Sequence, residues 1–324
     1  MIRLRIAVTA SVLSFLACVS PSHAARSAGS AALIIGKLPV GTRAIGLSGA
    51  YTAVADEPAA IYWNPAGLAA VDRTRVEGLH IEQGQEIRME NIMFAQPTML
   101  GGTLAAAGSF LGQPPLTQAR EDAAGNFIGV GGTFPVYQYK AAVGYGQDLG
   151  SLAPVSVLGA LWSRGSVGGC VTVLGEDVAG TRSFSASVDA GYMYKDANEG
   201  RSFGVVVRQL GVPARGRSLP LTGQVGVAQE LSDSLLVTMD LLTAADDAFR
   251  IRAGAEWIFR TSTGGITLRC GGQQSLSSVL AAHFSAGLGY RFRMPGSIEF
   301  VLEYAFVPVN DFEDMHAVSV QVGL

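Results

Sequence analysis

Few residues in this chain have the types and spacings that covalent chemistry needs. Beyond residue 24 the histidines are His80, His283 and His316, and none falls in an HExxH or similar spacing, so no metal site is expected. No GxSxG elbow occurs and no Ser–His or Asp–His pair can be placed, so an enzyme is not expected either. The neighbouring acids Asp56-Glu57 and Glu176-Asp177 read as a helix cap and a solvated loop, and His80 as a lumen or loop residue. No catalytic residue and no cofactor follow from this inventory. What stands out instead is charge placed two apart within apolar segments: Arg250, Arg252 and Glu256, then Arg269, then Arg291 and Arg293, then Glu299 and Glu303. Alternation of that kind suits a polar lumen behind an apolar wall. The mixed signs argue against an ion-selective ring and for internal ion pairs that hold the walls and whatever fills them.

The elements that must position these residues have a period of two. Tyr137, Tyr139, Ala141, Val143 and Tyr145 alternate with Gln138, Lys140, Ala142, Gly144 and Gly146, and the segments 249–260 and 284–293 repeat the pattern. Hydrophobic residues make up 48% of the chain and mean hydropathy is +0.31, yet no continuous apolar run beyond the N-terminus is long enough to span a bilayer as a helix. Hydrophobicity spread by alternation, with 41 glycines, indicates a membrane barrel. Strands are expected at 74–83, 88–97, 101–112, 136–148, 154–165, 184–195, 201–210, 219–230, 234–243, 248–260, 264–271, 281–293, 297–307 and 316–324. The fold class is therefore all-β, a transmembrane antiparallel β-barrel of about 14 strands. The long connections, Gln113–Pro135 and Ser166–Ser183, should share one end, while Leu149–Ala153 at the other end should be short. A three-residue Met294–Gly296 turn would set Phe292 against Ile298, Tyr290 against Phe300, Leu288 against Leu302 and Arg291 against Glu299. Cys170 and Cys270 leave one disulfide open.

Two N-terminal segments precede the barrel. Arg3 and Arg5, the apolar stretch from Ile6 to Val19, and Ser22-His23-Ala24 read as a secretory signal cut after Ala24, so residues 1–24 are expected to be removed. The formal net charge of −3 then becomes two units more negative, and nothing in it favours nucleic acid. Residues 25–72 form a short helical plug and residues 73–324 the barrel. Within the plug, Thr42–Ala55 reads as a lean helix whose small residues allow close backbone packing. Asp56 is placed to cap a second helix, Pro58 in its first turn, and Asn64-Pro65-Ala66-Gly67 ends it.

The run Gly41-x-Arg43-Ala44-x-Gly46-x-x-Gly49-Ala50, then Val54-Ala55-Asp56, then Tyr62-Trp63-Asn64-Pro65-Ala66-Gly67-Leu68, resembles the N-terminal segment of the PorV/PorQ family. That family is related to FadL-type outer-membrane transporters, which share an Asn-Pro-Ala turn in their plug. The resemblance extends through Asp189–Lys195, Phe203–Val206, Leu219–Thr222, Gly254–Glu256 and Glu303–Phe306. It implies a fourteen-stranded outer-membrane barrel with residues 41–70 inside, and Arg43, Gly46, Gly49, Asp56, Asn64, Pro65, Ala66 and Gly67 as the plug motif. It implies partners too: outer-membrane lipid, the assembly machinery, and either a hydrophobic small molecule or a secreted protein. The first role is passage of hydrophobic compounds, with Pro114, Pro115, Leu116, Phe127 and Ile128 as a greasy outer port. The alternative is a type IX secretion shuttle that docks secreted proteins through its outer loops.

Overall fold

The computed structural model describes residues 33–84, 86–152, 165–214, 216–261, 264–275, 282–294, 298–309 and 314–324. The expected signal segment lies outside them. The strands are β1 (Arg75–Gln83), β2 (Ile87–Pro97), β3 (Gly102–Gly112), β4 (Leu116–Glu121), β5 (Phe127–Phe134) and β6 (Val136–Asp148). They continue with β7 (Gly165–Val178), β8 (Thr181–Asp196), β9 (Arg201–Gly211), β10 (Thr222–Ser232) and β11 (Leu235–Ala244). The last are β12 (Asp247–Arg260), β13 (Gly264–Ser275), β14 (Ala282–Arg293), β15 (Glu299–Val307) and β16 (Met315–Gly323). All but β4 and β5 close into one fourteen-stranded antiparallel barrel in which β1 pairs with β16. The expected fold class holds. Outward rows carry exposed Val143, Trp257, Phe284, Leu288 and Leu302, and inward rows are polar or small, as a lipid-facing wall requires.

Several local expectations are corrected. Most of the strand expected at 154–165 lies outside the described residues, and the fifth barrel strand is β7, drawn from the stretch expected to be a long loop. Its glycines and the Glu176-Asp177 pair imitate turn punctuation. In fact Asp177 stands at the strand end, where it accepts from Tyr137 Oη (3.1 Å), Arg182 Nε (3.1 Å) and Gly180 N (2.9 Å) around a two-residue turn. Residues 149–164 therefore form a long connection at the end expected to have only short ones. The stretch 113–135 is long as expected but contains the β4–β5 hairpin, with Leu116, Phe127 and Ile128 exposed.

The β14–β15 hairpin closes one residue later than expected, with Met294 N donating to Ile298 O at 2.9 Å. Phe292 consequently faces Phe300, Tyr290 faces Leu302, Leu288 faces Tyr304, and Arg293 rather than Arg291 faces Glu299. The two-residue displacement keeps every side chain on its expected face. On β1 the faces are reversed relative to the lumen reading of His80. Leu79 and Ile81 point inward against the plug, and His80 points outward, its Nδ1 at 2.6 Å from Glu90. Cys170 is buried and Cys270 exposed, and both are free thiols.

Candidate functional site

The site is built where the chain before β1 occupies the lumen. A 3-10 turn (Ile34–Gly36) precedes α1 (Thr42–Gly46), α2 (Ala60–Trp63) and a 3-10 helix (Pro65–Ala70). The expected helix over 42–55 stops after five residues, because Ser48 (φ 52°) and Gly49 (φ 76°) turn left-handed. The backbone donors that a longer helix would satisfy are taken by the wall: Asp240 on β11 accepts from Tyr51 N at 2.9 Å and Thr52 N at 3.0 Å. Asp56 caps nothing. The N-cap of α2 is Ala59, without a side-chain bond, and Asp56 pairs with Arg43 instead.

Asn64 is the pivot of the segment. Fully buried, it caps the 3-10 helix by accepting from Ala66 N (3.2 Å) and donates Nδ2 to Thr52 O (2.8 Å) and to Tyr192 O of β8 (3.2 Å). Pro65 follows at the first helical position, where its missing N–H costs nothing. Gly67 admits the carbonyl of Ala55, which any side chain would strike. One asparagine thus ties both halves of the plug to each other and to the wall.

Ion pairs fasten the other side. Arg43 on α1 donates to Glu256 of β12 (Nε, 2.8 Å) and to Asp56 (Nη1, 2.6 Å), while Arg269 of β13 reaches the same Glu256 (2.6 Å) and Glu303 of β15 (2.8 Å). Burial opposes the charge on Arg43, but Glu256 and Asp56 outweigh it and hold the guanidinium pKa well above its ordinary value. Glu57 is buried beside this chain of charges. Burial first, then the charge of Glu303, pushes its carboxyl up to about 7. Glu299 forms a separate knot, at 3.3 Å from Arg75, 3.2 Å from Arg293 and 3.7 Å from Arg291. The structure therefore brings Arg43, Asp56, Glu256 and Glu303 together and sets Arg291 and Glu299 apart at the barrel end.

The wall around the plug is largely backbone. A side chain on Gly146 would meet Pro65 O at 2.5 Å, one on Gly254 the Leu47 side chain at 2.9 Å, and one on Gly287 the Cα of Gly46 at 3.3 Å. Gly168, Gly204 and Gly271 abut Pro65, Thr52 and Leu47 as closely or closer. Gly49 sits between Arg252 and Trp63, where a Cβ would come within 2.9 Å of each. Close approach by the plug backbone accounts for glycine at these wall positions.

Two spaces flank the plug. At the end where β1 begins and β16 stops, a charged vestibule of about 820 Å³ is lined by Arg43, Asp56, Lys195, Arg201, Arg260 and Arg293, among others. On the opposite side lies a cavity of about 200 Å³ with Tyr62 and Trp63 on its plug face, Leu38, Pro39 and Val40 beside them, and Lys140, Asp189, Arg208, Arg250 and Arg252 on its walls. Trp63 is held by Nε1 donating to Val40 O at 2.6 Å. Arg250 and Arg252 thus belong to this cavity and not to the Glu256 network. Sequence reasoning missed Arg208, Asp189 and Asp240 as lumen residues. Strand parity carried the signal, since Arg208 follows the inward Gly204 and Val206 at intervals of two.

No family model matches the chain, and no curated relative does. Among solved structures, the toluene transporter TbuX of Ralstonia pickettii aligns over 87% of this chain and 97% of its own, with a TM-score of 0.59 at 11% identity. The CymD monoaromatic hydrocarbon channel aligns over 87% and 96%, with a TM-score of 0.54 at 10% identity. A Pseudomonas aeruginosa FadL homologue aligns over 87% and 97%, with a TM-score of 0.53 at 9% identity. At such identities the likeness is one of fold, and the fold shared is that of FadL-type barrels.

Proposed function

We propose that the chain is an outer-membrane channel for small hydrophobic molecules, built as a cleaved signal (residues 1–24), a plug (25–72) and a barrel (73–324). The observation that carries this reading is the aromatic-faced cavity seated on a plug that fills the lumen. A water-filled general porin has no such stopper, whereas a channel that captures a ligand before passing it on needs a defined resting place. With β1 rising from the periplasm, the cavity faces the cell exterior and the charged vestibule the periplasm. The exposed apolar hairpin β4–β5 stands on the outer side, where a greasy port is required. The wall meets outer-membrane lipid and is placed there by the assembly machinery. Kinship with the PorV/PorQ family is supported by the plug motif, but the secretion-shuttle role gains no supporting observation.

The test is uptake of labelled toluene by bacteria carrying the chain, the Trp63→Ala variant or an empty vector, alongside conductance in planar bilayers. Faster uptake by the parent, lost in the variant, with little ion current, is the expected result. A large steady ion current from the parent would sink the reading.

A further inference from the structure

The cavity above the plug is apolar on one side only. Its lining includes the basic residues Lys37, Lys140, Arg208, Arg250 and Arg252 and the single carboxylate Asp189. Lys37 is committed to Asp246 at 2.6 Å. Asp240 stands off the cavity wall and accepts from the plug and from Gln224. Even with Asp240 and Asp246 counted, positive charge is in excess.

The placement of that charge is specific. The guanidiniums of Arg208 and Arg252 lie over the Trp63 ring at 5.4 and 5.8 Å, and Lys140 Nζ lies over the Tyr62 ring at 4.1 Å. Each is oriented by a bond to a neutral plug carbonyl: Arg208 to Tyr62 O (2.8 Å), Arg252 to Gly49 O (3.4 Å) and Lys140 to Ile35 O (3.2 Å). These bonds fix the cations without cancelling their charge. Two further donors on lining residues are buried without a partner, Ser187 Oγ and Arg208 Nε, and Ser187 is only 3% exposed. A neutral hydrocarbon would leave those donors bare and the clustered cations facing one another. A carboxylate satisfies both, and guanidinium pairs receive it best. The volume of about 200 Å³ is below that of sites for drug-sized ligands, about 300–1,000 Å³, and has no room for an extended acyl chain.

We propose that this cavity binds a compact aromatic carboxylate, its ring on the Tyr62–Trp63 face and its charge received by Arg208, Arg252 and the Ser187 hydroxyl. The assignment rests on the passage reading above and names the cargo of that same site.

The experiment is calorimetric titration of the full barrel in lipid nanodiscs with benzoate, toluene and oleate, each at low and high salt. Benzoate is expected to bind saturably at least about tenfold tighter than toluene, and to weaken several-fold as salt screens the site. Arg208→Gln and Arg252→Gln should each cost benzoate about tenfold or more and change toluene little. Those arginines also bond to the plug, so Ser187→Ala, which removes no plug bond, serves as the second variant, with an expected loss of several-fold. Toluene binding as tightly as benzoate, or benzoate indifferent to all three substitutions, overturns the assignment while leaving the passage reading intact. Oleate binding tightest overturns the compact ligand. Saturable binding of none of the three overturns the assignment and the passage reading together.

Discussion

Glu256→Gln is the sharpest probe of what holds the plug. The carboxylate receives Arg43 at 2.8 and 3.0 Å from the plug side and Arg269 at 2.6 Å from the wall, with 4% of its side chain exposed. The amide keeps the shape but drops the charge, leaving two buried guanidiniums with one carboxylate each, Asp56 for Arg43 and Glu303 for Arg269. Breaking one partner of a buried pair costs about 3–5 kcal/mol. Applied to docking of the plug, that is about two to three orders of magnitude in the population with α1 detached. The barrel strands keep their ladders, so the loss should appear in the plug alone. Limited proteolysis in the plug should accelerate and bilayer leak should rise, while the heat-modifiable gel mobility of the folded barrel stays that of the parent. An Arg43→Gln, Glu256→Gln double variant should lose less than the sum of the singles. Proteolysis and leak unchanged in Glu256→Gln would refute the view that this network fastens the plug.

Further expectations follow from the same geometry. Asn64→Ala strands two carbonyls and a cap at the pivot, a loss of about 2–4 kcal/mol in plug docking, read as raised leak with the barrel intact. Gly254→Val drives a side chain into Leu47 and should expel the plug, whereas Gly78→Val, whose Cβ meets nothing within 4 Å, should match the parent in conductance and gel mobility. The Glu57 carboxyl, ordinarily near 4.5, is raised to about 7 in the docked plug. The docked form therefore holds more protons between those values, and docking should be firmest below about 4.5 and weaken as pH rises to about 7. Protease protection followed across that window should show the decline, and Glu57→Gln should abolish it.

The parts of the fold legible in the sequence were those written in alternation. Tyr139, Ala141 and Val143, or Trp257 and Phe259, face lipid in the structure because a one-residue slip would bury charge in the bilayer. β7 was illegible because Gly169 and Gly175 interrupt its outward row of Val171 and Val173, so the strand carries little contrast. His80 misled for the opposite reason. On β1 the apolar residues serve the plug and the polar ones face out, so the pattern is present but its sense is inverted. In the site, the plug motif was visible as a run of small residues, yet its bonds were not. Asp240 lies 189 positions from Tyr51 and Arg208 lies 146 from Tyr62, and only the closed barrel brings them together.

The glycine lining has a consequence for anyone wishing to make a pore from this chain. Glycine is a poor strand former, because it loses the most conformational freedom on folding and offers nothing to pack. At Gly168, Gly204, Gly254 and Gly271 the missing side chains are supplied by the plug backbone, which acts as a shared core for strands that have none of their own. Excising residues 25–72 would thus hollow the barrel and soften it in the same stroke. A durable nanopore from this scaffold requires refilling those wall positions with small β-branched residues once the plug is gone. Plug and wall are two halves of one packing solution, and neither is a finished structure without the other.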